Sequence, residues 1–212
     1  KKKKKGNKKE ISFTNKKVSR KLIVDEILAA LGRRQNIESL KIENPAIVYQ
    51  MEDIEILSNN TAESVKLYIN TIGIIFKDFD EIKKSELEII AEVSDENSSL
   101  SLEQKMEKLE ELNKYNEIYE KVIQKLLSVS VPSNYRIAHI GFINNFSKTN
   151  EAVKEMGNFL IDPARAFVGL QWYAEEIKRA GVILLMLKSS LEMDDIRVEE
   201  WEDGYELIQY IE

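Results

Sequence analysis

Apolar residues recur along most of this chain at intervals of three and four, the spacing that sets one hydrophobic face on an α-helix. The first such run is Val18 to Leu31, with Leu22, Ile23, Ile27, Leu28 and Leu31 in phase and Gly32 as a C-cap ahead of Arg33 and Arg34. Asn44-Pro45 breaks any helix. Ala46 to Leu57 then alternates Ile47, Tyr49 and Met51 before Ile54 and Ile56, an extended pattern with no partner strand in view and so expected as a packed loop. Behind the capping pattern of Asn60, Thr61, Ala62 and Glu63, the stripe of Val65, Tyr68, Ile69, Ile72, Ile75, Phe76 and Phe79 predicts a helix over roughly 61–79.

A shorter helix is expected from Ser85 to Val93, followed by a polar loop from Ser94 to Ser101. Ser101 and Gln104 repeat the capping logic and open a long helix to about Ser128, with Met106, Leu109, Leu112, Tyr119, Val122, Ile123, Leu126 and Leu127 on one face and Glu and Lys on the other. Pro132 reads as a first-turn proline starting a helix through Ile137, Ile140, Ile143, Val153, Met156 and Phe159. Asp162-Pro163 pairs an N-cap with a first-turn proline, and the helix behind it runs through Phe167, Leu170, Tyr173, Ile177, Leu184 and Leu187. Its short connection makes it an antiparallel partner of the preceding helix.

The expected fold is therefore all-α: an antiparallel helical bundle with three long helices, short N-terminal helices and an aromatic C-terminal segment. That segment, Ile196 to Glu212, carries Trp201, Tyr205 and Tyr210 around Asp203-Gly204 and is expected to pack back on the bundle. Residues 1–16 lack periodicity and read as a basic disordered tail, leaving 17–212 as one helical domain. Three prolines and eight glycines in 212 residues are too few for the turns of a sandwich or a doubly wound sheet.

Charge sharpens the division. The net charge is −6, yet residues 1–34 hold 13 Lys and Arg against Glu10, Asp25 and Glu26, a net +10 that leaves −16 for the remainder. The tail has only Phe13 as an aromatic and no arginine fork before residue 20, so it is read as solvated and nucleic acid as an unlikely partner. The chain's best apolar run, Val182 to Leu187, is far below the roughly 18–20 residues that span a bilayer. The chain opens on Lys1 rather than a methionine, which leaves room for a signal peptide or membrane anchor upstream.

Candidate chemistry is sparse. Without cysteine there are no disulfides, thiolate metal sites or cysteine nucleophiles, and a single histidine, His139, cannot furnish the histidine sets of di-metal bundles or zinc enzymes. Asp95, Asn97, Ser99, Ser101 and Glu103 mimic a calcium loop but have Leu100 at the glycine position and Met106 at the bidentate glutamate position. No phosphate-cradling, dinucleotide or nucleophile-elbow motif occurs, and no metal or cofactor is implied. Acidic clusters such as Glu107, Glu110 and Glu111, or Asp194, Asp195, Glu199 and Glu200, read as solvated faces. The amides Asn70, Asn144, Asn145 and Gln171 stand out in otherwise apolar helix, because a buried amide must find partners.

Two blocks are familiar. Tyr49 to Ile54 with Glu63 to Asn70, and Val131-Pro132 through His139, Asn144, Asp162-Pro163, Ala166 and Tyr173, resemble uncharacterised helical proteins of uncultivated, small-genome bacteria. In those proteins such a domain often follows a membrane anchor and sometimes calcium-binding Asp-rich repeats, which are absent here. The resemblance covers about two thirds of the chain, implies an extracytoplasmic envelope location and carries no catalytic residue. An anchor immediately before Lys1 would pull the other way, toward the cytoplasm, by the positive-inside tendency.

Three expectations follow. The leading one is a non-enzymatic interaction or assembly module, tethered to the envelope, meeting a protein partner through its acidic surface or aromatic C-terminal segment. The alternative is a small-molecule-binding bundle with a pocket near His139 lined by Asn144, Asn145, Gln171 and Trp172. The third is an enzyme using His139 as a base beside a carboxylate.

Overall fold

The computed structural model describes residues 42–95 and 98–209. The basic tail, the expected helix from Val18 to Leu31, Asn97 of the calcium-like loop and Tyr210 lie outside the described residues. Within them the protein is an all-α helical bundle. Helix α1 spans Ala62–Phe76, α2 Glu86–Ser94, α3 Leu102–Leu127, α4 Arg136–Met156, α5 Pro163–Met193 and α6 Tyr205–Gln209.

The helix starts follow the local chemistry read from the sequence. Thr61 accepts from the Ser64 amide, Ser85 and Ser101 form full capping boxes with Glu88 and Gln104, and Asp162 accepts from the Arg165 amide with Pro163 in the first turn. Each removes orphan N–H groups that a helix otherwise leaves unpaired. Asn60, expected as the cap of α1, instead donates to Ser133 Oγ at 2.9 Å and accepts from the Asn134 amide at 3.0 Å, tying α1 to the start of α4.

Pro132 does not begin a helix. Val131–Pro132 (β2) pairs in parallel with Ile56–Leu57 (β1), Val131 donating to the Glu55 carbonyl at 2.8 Å, and α4 starts only at Arg136 after a short 3-10 turn. Proline's missing N–H costs nothing at the end of so short a ladder. The extended Ala46–Leu57 segment thus has a partner after all. It also carries a 3-10 turn at Met51–Asp53.

The α4–α5 pair is an antiparallel hairpin, as Asn145 opposite Glu176 and Arg165 opposite Glu155 establish. At the crossing, a Cβ on Gly169 would sit 2.7 Å from the Ala152 carbonyl oxygen and 2.9 Å from the Met156 amide, so only glycine lets these backbones approach. Leu126 beside His139 and Glu120 beside Lys154 make α3 antiparallel to α4 in turn.

The core has two lobes. One gathers Ile69, Ile72, Leu126, Ile143 and Leu187; the other Leu87, Ile90, Leu112, Met156 and Leu170. Phe79 and Phe146 pack against both and stack on each other at 5.5 Å, with Phe76 and Tyr119 edge-on or tilted around them. Two expected stripe residues, Met106 and Ile137, are instead exposed. Ile137 lies on the side of α4 opposite the buried arc of Ala138, His139, Phe142 and Ile143.

Candidate functional site

His139 is fully buried where α1, α3 and α4 meet. Its Nε2 lies 3.0 Å from the Leu126 carbonyl in the last turn of α3, and its Nδ1 3.2 Å from the Tyr68 hydroxyl. The pairing assigns the tautomer: Nε2–H donates to the carbonyl and Nδ1 accepts the tyrosine proton. Burial pushes the imidazole pKa down to about 4, with the carbonyl bond opposing. The same burial raises Tyr68, helped by Tyr135. The ring is neutral, saturated in hydrogen bonds and remote from water, so it caps α3 and leaves no lone pair for a general base.

Asn144 faces the extended segment instead. Its Oδ1 accepts from the Tyr49 amide at 2.7 Å and its Nδ2 donates to the Tyr49 carbonyl at 3.0 Å, replacing both bonds of a missing strand partner. Ser147 Oγ donates to the Ile47 carbonyl at 2.8 Å, Asn44 Nδ2 to the Lys148 carbonyl at 3.0 Å, and Trp172 Nε1 to the Ile42 carbonyl at 2.9 Å. Residues 42–49 are therefore a strap laid across α4 and α5, its backbone satisfied by side chains rather than by a sheet.

Asn145 points the other way, into the α4–α5 interface. Its Nδ2 donates both to the Glu176 carbonyl at 2.8 Å and to Glu176 Oε2 at 2.9 Å. Burial raises the Glu176 pKa, opposed by Asn145 and by Arg179, whose Nε is 3.6 Å from Oε2. Gln171 is half-buried on α5 beside Trp172. Four of the five residues expected around one pocket thus divide among separate contacts. His139 serves the α1–α3–α4 junction, Asn144 and Trp172 the strap, and Asn145 the hairpin.

Two further arrangements join elements distant in sequence. Glu86, in the first turn of α2, is buried and accepts from Tyr119 Oη at 2.5 Å and Tyr173 Oη at 3.0 Å, joining three helices. An acidic residue in a first turn reads as a solvated dipole partner, and nothing local marks it as internal. Among the described residues no group of three or more metal-ligating side chains could hold an ion.

The second arrangement is the C-terminal turn. Asn70 Oδ1 accepts from the Gly204 amide at 2.9 Å and its Nδ2 donates to Glu202 at 3.3 Å, while Lys77 pairs with Asp203 at 2.6 Å. The backbone lies so close to α1 that a Cβ on Gly73 would sit 2.1 Å from the Asp203 carbonyl oxygen. Ile196, Val198, Leu207 and Ile208 pack on the core, but Trp201, expected to do so, is 81% exposed at the tip. The Glu199–Glu202 turn reverses the chain there and aims the indole outward.

Two grooves open on the surface. One of about 420 Å³ runs between the strap, α3 and α4, past Ile47, Tyr49, Lys121, Asn150 and Lys154. The other, of about 450 Å³, lies between α1 and the α3–β2 turn, with Leu67, Tyr68, Thr71 and Ser128 in its walls. None of the five expected site residues lines either. Among the described residues no helix is long and apolar enough to cross a membrane. No family model, curated protein or solved structure matches the chain.

Proposed function

We propose that this protein is a non-enzymatic interaction or assembly module whose C-terminal turn presents Trp201 to a protein partner. The observation that carries this is the 81% exposure of Trp201 on a turn that is itself fixed to α1. Exposed tryptophan on flexible chain must be ordered on binding, at a cost in entropy; here Asn70, Lys77 and the Gly73 contact hold the turn beforehand. Tryptophan is among the residues most enriched at interface hot spots. Glu199 and Glu200, both exposed, stand just before it, so the matching partner has an apolar pocket rimmed by Lys and Arg.

The test is a comparison of wild type with Trp201→Ala as baits in the cells that make the protein. A partner enriched by wild type, cross-linked from position 201 and lost with Trp201→Ala, supports the reading. An identical set of captured proteins refutes it. The envelope tether belongs to the same proposal and is checked by fractionating the native product between membrane and soluble pools.

A second reading, small-molecule binding, draws on the groove of about 420 Å³. Asn150 in its wall is 6% exposed and its Oδ1 has no hydrogen-bond donor among the described residues. Native mass spectrometry of the purified protein would reveal a co-purifying ligand, and a bare protein mass would count against it.

A further inference from the structure

Helix α5 carries apolar side chains on two sides of its second half. Ile183, Leu187 and Leu191 are buried in the core, while Val182 at 56%, Leu185 at 55% and Met186 at 38% stand exposed on the other side. Clustered apolar surface on a helix held by the core marks a contact face. We infer that the occupant of this face is a second copy of the same chain, its α5 packed antiparallel on the first across a twofold axis through Leu185.

The charges beside the patch select that occupant. Lys178, Leu185 and Glu192 recur every seven residues, so successive members stand only about 20° apart around the helix and form one line along it. Both charged residues are exposed, and neither meets an opposite charge among the described residues. Arg179, by contrast, is drawn to Glu176 at 3.6 Å. The line thus has an ammonium at one end, a leucine at its centre and a carboxylate at the other end, each charge about 10 Å along the axis from the leucine.

Opposite charges at equal distances on either side of an apolar centre are complementary to their own reverse. Turning a second α5 end for end about Leu185 sets Leu185 against its copy and lays Lys178 of each protomer opposite Glu192 of the other, twice per dimer. The same flank of each helix meets in an antiparallel pair, so residues on one line face one another. A parallel pair would instead bring Lys178 level with Lys178 and Glu192 level with Glu192, like against like. Val182 and Ser189, three before and four after Leu185, lie between the Leu185 and Met186 lines and complete the seam at the spacing that keeps a stripe facing a neighbouring helix. An unrelated partner would need only the apolar patch; reversal symmetry in the charges is what a copy needs.

Sedimentation velocity of the full chain, from about 1 μM to about 1 mM, reads the dimer directly. The expected result is a reversible monomer–dimer equilibrium that Leu185→Glu abolishes, because it sets two like charges against each other at the axis. Lys178→Glu and Glu192→Lys should each raise the dissociation constant at least about tenfold at low salt, since each turns two attractive pairs into two repulsive ones. An equimolar mixture of those two variants should recover the wild-type constant as a mixed dimer, in which every such contact again joins opposite charges. Only contact between position 178 of one copy and position 192 of another gives that recovery. A chain that stays monomeric throughout overturns the inference, whatever else covers the face. A dimer indifferent to Leu185→Glu overturns it too, because it must use another surface, and failure of the mixture to recover removes the antiparallel register. Far-UV circular dichroism and the melting temperature of each variant, matched to wild type, separate lost association from lost folding. None of the three substitutions lies on the C-terminal turn, so the outcome is independent of the partner proposed for Trp201.

Discussion

Acidification is expected to weaken this fold through His139, and the size of the effect follows from its burial. The folded-state pKa is depressed to about 4 from the ordinary 6.5, so between those values the unfolded chain binds a proton that the native state refuses. Stability from this group is therefore complete above about pH 6.5 and is lost as pH falls toward 4. A fall from 6.5 to about 4 corresponds to about 3 kcal/mol, at 1.36 kcal/mol for each tenfold change in proton affinity. Replacing His139 by Phe removes the titration while keeping a ring in the site. It orphans the Tyr68 hydroxyl but not the Leu126 carbonyl, which also accepts from the Val129 amide at 3.0 Å. The variant should thus be less stable by about 1–3 kcal/mol at pH 7. Urea unfolding of both proteins at pH 7, 6, 5 and 4 isolates the histidine, because Glu176 and the surface carboxylates are common to both. The advantage of wild type should shrink by about 3 kcal/mol and vanish or reverse near pH 4. Two parallel stability curves would refute the assignment of His139 as a neutral, buried cap.

Three further outcomes follow from the same contacts. Asn144→Ala should release the strap, costing about 1–3 kcal/mol for the two unmade bonds to Tyr49 and raising hydrogen exchange at the Tyr49 amide above that of the helical amides of α4. Gly169→Ala should push α4 and α5 apart against backbone atoms rather than yielding side chains, at a cost of about 1–3 kcal/mol or more, visible as a lowered melting temperature. Trp201→Ala should leave thermal stability within about 0.5 kcal/mol of wild type, as for other exposed positions, while losing the partner; a large drop in melting temperature would show that the indole supports the fold instead.

What was legible in the sequence is what local chemistry decides. Helix starts at Ser85, Ser101 and Asp162 could be read because a cap and its receiver lie within three residues, whereas at the first helix the cap is Thr61 and not the expected Asn60; Asn70 was marked by standing polar in an apolar stripe. Pro132 misled because a first-turn proline and a proline ending a two-residue ladder share φ near −60°; only the bond from Val131 to Glu55, 76 residues earlier, separates them. The same distance effect hid Glu86, whose tyrosine partners lie 33 and 87 residues on. The five residues placed around one pocket do not meet there: neighbours 144 and 145 sit about 100° apart on a helix, so one reaches the strap and the other the hairpin. A buried amide signals that something must be bonded and says nothing about whether that something is ligand or backbone. Here the backbone of the strap and of α5 fills the role, which moves the search for function from the interior to the surface, where the indole of Trp201 stands on a fixed turn.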